Sequence, residues 1–82
     1  MKTFTLEIKT LEKRIFLDRV LRLTAAAVDG EVGILPDHAR FASVLKPGTL
    51  RYALESGEER KTEIGEGFLI VNKNLVSVLV KR

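Results

Sequence analysis

The 82-residue sequence predicts an all-β chain folded as a sandwich or barrel of two mostly antiparallel sheets. Three observations carry that expectation. Turn signals recur at short intervals, apolar residues alternate with polar ones in several stretches, and the chain is too short for more than one core, so residues 1–82 form a single domain.

Taken in order, Phe4, Leu6 and Ile8 alternate with Thr5, Glu7 and Lys9, which gives a strand with one buried face. Leu11–Arg14 is polar enough to turn the chain. The next stretch reads two ways. Leu17, Val20, Leu21, Thr24, Ala25 and Val28 fall at helical spacing, and Ala25-Ala26-Ala27 adds helix propensity. Leu21, Leu23, Ala25 and Ala27 equally alternate as a strand would, ending near Asp29-Gly30. Lys46-Pro47-Gly48-Thr49 fits a type II turn, with Gly48 taking the positive φ. Leu50, Tyr52 and Leu54 then alternate, and Ser56-Gly57 offers a tight hairpin.

Glu58–Glu63 is a charged strand candidate, read as a solvated edge guarded against edge-to-edge pairing rather than as a binding tract. The glycines of Gly65-Glu66-Gly67 mark a bulge or a close backbone approach. Phe68–Val71 and Leu75–Val80 flank a second hairpin at Asn72-Lys73-Asn74. Both arms are apolar on alternate and intervening positions. They need cover on both faces, from the second sheet plus a loop or from another subunit.

Composition limits the chemistry. Forty-five per cent of residues are apolar and 30% charged, with 14 basic against 11 acidic residues for a net charge of +3. The whole excess lies in Met1–Leu23, too mild to mark a nucleic-acid binder by itself. The absence of cysteine excludes disulfides, a zinc ribbon and a thiol nucleophile. No apolar run exceeds four residues, against about 18 needed to span a bilayer. Glu7 and Lys9 interrupt any signal-peptide core, so a soluble intracellular chain is expected.

No catalytic, cofactor-binding or metal-binding set is visible. The single histidine, His38, follows Asp37, and serines stand only at 43, 56 and 77. Adjacency on a loop does not make a Ser/His/Asp arrangement. One histidine with scattered carboxylates gives no metal signature. Gly30-Glu31-Val32-Gly33 lacks the spacing of a phosphate-cradling loop. A small basic β-barrel that binds single-stranded nucleic acid is the alternative reading, but Phe4 and Tyr52 share strand faces with Leu and Ile and read as core.

Three ordered motifs go further. Asp29-Gly30-Glu31-Val32-Gly33-Ile34-Leu35-Pro36-Asp37-His38-Ala39 resembles a signature of the ε subunit of bacterial and chloroplast F-type ATP synthases, the counterpart of mitochondrial δ. Leu45–Arg51 is similar to that family's L-x-P-G-x-L/I-R turn. Gly67–Val71 followed by Asn74–Leu79 is similar to its G-F-L-x-V…N-x-V-x-V-L segment. The resemblance covers Phe4 to Leu79.

The resemblance implies a flattened β-sandwich and assigns Arg19–Ala26 to a strand. It implies a non-catalytic rotor-stalk subunit that links γ to the membrane c-ring and helps couple proton or sodium transport to ATP synthesis. Gly30, Glu31 and Val32 would face the c-ring loops, and His38, Ser43, Phe68 and Ile70 would lie towards γ. No cofactor, small-molecule substrate or nucleic acid is expected. Its place would be peripheral, on the cytoplasmic side of the inner (plasma) membrane, within the complex. Two departures stand out: Arg40 occupies the position after His-Ala where the family commonly has proline, and the sequence stops at Arg82, where the family usually continues into a helical hairpin. Inhibition and ATP binding belong to that hairpin and are not expected of these residues.

Overall fold

A computed structural model describes residues 2–81, and no helix occurs among them. Eight strands follow one another: β1 (Phe4–Lys9), β2 (Arg14–Ala27), β3 (Gly30–Ile34), β4 (Phe41–Leu45), β5 (Gly48–Leu54), β6 (Glu59–Ile64), β7 (Gly67–Asn72) and β8 (Leu75–Val80). One ladder runs β1-β8-β7-β4 and another β3-β2-β5-β6, with β1–β8 the parallel pair and the others antiparallel. The 14-residue β2 joins the two layers. Its first half pairs with β1, its second half with β3 and β5, and its last residue, Ala27, with Leu45 of β4. Hydrogen bonding is therefore continuous around a sandwich whose single core includes Leu6, Ile8, Leu23, Ile34, Leu50, Leu69 and Val78. No polar or charged residue is buried among the described residues, so the core holds together by apolar burial, roughly 1.5–3 kcal/mol for each large side chain.

The helix-or-strand ambiguity resolves through a bulge. Val20 pairs with Leu54 but Arg22 with Ala53, so Leu21 is an extra residue in β2. An inserted residue flips the side-chain parity of everything after it. Val20 is buried before the bulge, and Leu23, Ala25 and Ala27 after it. The buried positions thus step by three from Val20 to Leu23 and by two thereafter, while the helically spaced Leu17 and Val28 stay exposed.

The chain turns at 10–13, where Thr10 Oγ1 accepts from the Glu12 and Lys13 amides. The Ser56-Gly57 hairpin forms with Gly57 at φ 94°. The expected type II turn at Lys46–Thr49 does not. Gly48 has no positive φ and already pairs with Ile64 as the first residue of β5. Its lack of a side chain suits a close neighbour instead, since a Cβ there would lie 3.4 Å from that of Ala26. Glu59–Ile64 is an edge strand, bonded to β5 alone. The Gly65-Glu66-Gly67 bend is the close approach expected of it: a Cβ on Gly67 would stand 2.2 Å from the Leu79 carbonyl oxygen, too near for any side chain.

Candidate functional site

The alternation of β7 turns Leu69 and Val71 into the core and Phe68 and Ile70 outward. Register then assembles an apolar surface from three strands. Val44 of β4 stands opposite Phe68, and Phe68 opposite Leu79 of β8. In the next row Ala42 stands opposite Ile70, and Ile70 opposite Ser77. Phe68 is 53%, Ile70 52% and Val44 46% exposed. The two-sided apolar arms thus have core on one face and, among the described residues, no cover on the other.

Two grooves border these rows. One, of about 550 Å³, is lined by Leu11, Val44, Phe68, Leu79 and Val80. The other, of about 400 Å³, lies among Val28, Asp29, Ser43, Phe68 and Ile70. A contiguous exposed apolar surface of this kind marks a docking site more than a scatter of single residues does. Large side chains left half exposed keep about half of their transfer free energy for a partner, on the order of 1 kcal/mol each.

The β2–β3 hairpin adjoins this surface. Its turn is Val28-Asp29, not Glu31, which is the second residue of β3 and pairs with Ala26. Gly30 (φ 130°) and Glu31 are exposed, and Val32, opposite Ala25, is half-buried. The turn is sewn to β4 by a bond of 3.0 Å from the Val28 amide to the Val44 carbonyl. Glu31 therefore stands on a held-down tip beside the apolar rows, with β3 bonded to β2 alone.

His38 lies in the loop before β4. Its Nδ1 donates to the Ala39 carbonyl (2.7 Å), and its ring meets that of Phe41 edge-on at 5.7 Å. Asp37 turns elsewhere. Its carboxylate accepts from Lys2 Nζ (2.8 Å) and Asn74 Nδ2 (2.9 Å), and its amide donates to Asn74 Oδ1 (2.7 Å). Those bonds from Lys2 and Asn74 hold the Asp37 carboxyl below its ordinary range, and the same bond raises the Lys2 amine.

Ser43 stands opposite Leu69 on the inward side of β4, its hydroxyl donating to the Val44 carbonyl at 3.4 Å. Asp37, His38 and Ser43 form no nucleophile relay. Among the described residues no group of three His, Asp or Glu side chains could hold a metal ion.

Phe68 and Ile70 thus come together, His38 sits in the loop leading to their strand partner, and Ser43 faces the other way. Val44, Leu79 and Leu11 complete the surface without having been singled out by sequence. Val44 is signalled only by standing one residue before the core residue Leu45.

The basic N-terminal third is largely neutralised. Lys2 pairs with Asp37, Lys9 and Arg14 with Glu7, and Arg22 with Glu59. Phe4 and Tyr52 are buried, and Phe16 packs on Tyr52 with centroids 4.8 Å apart. A single-strand binder stacks bases on exposed aromatic rings set among cations, whereas Phe4 and Tyr52, the rings nearest this basic stretch, are turned into the core.

Comparison with known proteins agrees with the geometry. Residues 3–82 match the family described as ATP synthase, Delta/Epsilon chain, beta-sandwich domain. The ATP synthase epsilon chain of Chromohalobacter salexigens is 43% identical over 79 residues, 96% of this chain and 56% of that relative. A chain in the cryo-EM structure of the Euglena gracilis mitochondrial ATP synthase, comprising OSCP, F1 and c-ring, superposes with a TM-score of 0.90 at 26% identity, over 95% of this chain and 50% of its own length. One in the central stalk and c-ring of the Tetrahymena thermophila mitochondrial ATP synthase shares the fold, with a TM-score of 0.79 at 19% identity, covering 99% of this chain and 65% of that one. The chain spans little more than half the length of the curated relative it matches.

Proposed function

Because the chain belongs to the family of ATP synthase delta/epsilon β-sandwich domains, we propose that it acts as a non-catalytic rotor-stalk component of an F-type ATP synthase. In this reading it links γ to the c-ring and helps couple proton or sodium transport to ATP synthesis. The observation that carries the reading is the outward apolar face of β4, β7 and β8, with Val44, Phe68 and Ile70 half exposed on a rigid sheet. Such a face supports docking on γ, with His38 at its margin, while Ser43 points to the inward side of β4. The hairpin tip, with Gly30 and Glu31 exposed and Val32 half-buried beside them, supports contact with polar c-ring loops, where one carboxylate on a tethered hairpin gives orientation more than affinity. Attachment to the membrane would be peripheral, through the complex, on the cytoplasmic side. No helix among the described residues is long and apolar enough to cross a membrane.

Pull-down from gently solubilised membranes tests the proposal. Capture of γ and c subunits is expected, weakened by Glu31→Lys and by His38→Ala in chains that keep their fold. Recovery of neither subunit defeats it.

A further inference from the structure

The six-residue loop from Leu35 to Arg40 has almost nothing of its own to hold it. Among the described residues none of its backbone groups bonds to another backbone group outside the strands. After Pro36 it has no proline ring to fix φ before β4 begins, since Arg40 precedes Phe41. Asp37 nevertheless adopts φ 64°, a conformation uncommon for a side-chain-bearing residue. What holds it there is a reciprocal pair: the Asp37 amide donates to Asn74 Oδ1, and Asn74 Nδ2 donates back to the Asp37 carboxylate. Asn74 is itself fixed in the two-residue turn between β7 and β8, where its carbonyl accepts from the Thr5 amide at 2.8 Å. Lys2 closes the other carboxylate oxygen. Three separate chain segments thus meet at one side chain.

We propose that Asn74, assisted by Lys2, is the positioning residue for the His38 segment of the docking surface, an inference that rests on the docking role proposed above. With Asn74 in place, the loop presents its imidazole against Phe41 and its Arg40 cation outward before any partner arrives. A loop already ordered does not spend association free energy on ordering. Without Asn74 the strands remain, because Asn74 is exposed and outside the core, but the loop samples many conformations.

Backbone ¹⁵N relaxation on the free chain tests the positioning without any partner. Asn74→Ala is expected to lower the order parameters of residues 37–40 from about 0.85 to below about 0.6 while β7 and β8 stay rigid. Lys2→Ala should give a smaller drop. The double exchange of Asp37→Asn with Asn74→Asp restores an amide facing a carboxylate and should recover rigidity. Unchanged order parameters in Asn74→Ala, or loosening spread through β7 and β8, overturn the inference.

Affinity for a γ-containing assembly supplies the second readout. Asn74→Ala should weaken it about three- to tenfold, the range for one or two lost hydrogen bonds, with recovery in the double exchange. Loosening of the loop without loss of affinity overturns the positioning role. If the unaltered chain binds no γ, the docking reading falls, while the relaxation data still decide whether Asn74 orders the loop.

Discussion

On β7 the residues flanking buried Leu69 are Phe68 and Ile70; on β6 the outward positions are Glu59, Lys61 and Glu63. Both strands obey the same two-residue alternation, and both turn one side to the same core. What differs is the partner that the outward side is made for. The β6 side is adapted to water. Arg22 and Glu59 pair there, with fully buried Ala53 between them in the ladder, and Glu63 accepts from the Thr49 hydroxyl. The β7 side carries no charge between Gly67 and Val71 and lies in mid-ladder, so it needs no guard against edge pairing. Outward residues contribute little to folding in either case, which leaves them free to encode association.

The largest expected effect sharpens that contrast directly. Leu69→Ala should cost about 2–5 kcal/mol in urea unfolding, because its side chain is fully enclosed. Phe68→Asp, the adjacent residue, should change stability by less than about 1 kcal/mol while abolishing capture of γ. An unfolded Phe68→Asp chain would mean that the two sides are not separable.

Next comes Gly67→Ala, expected to lower stability by about 1–3 kcal/mol because the new methyl group meets the β8 backbone. Gly33→Ala is its control. A Cβ there touches nothing within 4 Å, and a change under about 0.5 kcal/mol is expected. Thermal melts of the pair settle the point.

Acid should act on the ion-paired margin before the apolar side. Bonds from Arg14 hold the Glu7 carboxyl low, and bonds from Lys2 and Asn74 do the same for Asp37. A carboxyl lowered in the folded state stabilises fully above its unfolded value, near pH 4, and loses that contribution as pH falls through the lowered one. Melting temperature should therefore decline below about pH 4, and Asp37→Asn should flatten part of that slope.

The smallest effect lies on the charged side. Arg51 and Lys61 face each other directly across β5 and β6. Lys61→Glu should stabilise by about 0.2–1 kcal/mol and leave partner capture unchanged, as measured by denaturation and pull-down.

Much of this fold was legible because alternation is a local signal. β1, β5 and the hairpins at Gly57 and Lys73 follow from residues within a few positions of each other. β2 was ambiguous because the extra residue at Leu21 changes phase, and only its neighbours in space reveal the change. Gly48 was assigned to a turn from its Pro-Gly pairing, whereas its real constraint is Ala26, distant in sequence. The candidate site divides the same way. Phe68 and Ile70 stood out as apolar residues with no local cover. Ser43 was placed with them, but the odd–even count in β4 sends it inward beside Leu45. The union of Asp37 with Asn74 and Lys2 leaves no trace in the sequence, since nothing local requires those residues to meet.

The parallel pairing of β1 with β8, Thr5 beside Leu75 through Lys9 beside Leu79, makes the first strand wait for the last. A chain emerging from a ribosome cannot complete the cover of Leu6 and Ile8 until Leu75–Val80 have left the exit tunnel. Folding is then a single late event with a large loop-closure cost, slow for so small a protein. Loss of β8 would strip Val76, Val78 and Val80 from the core and uncover the β1 edge beside Leu6 and Ile8.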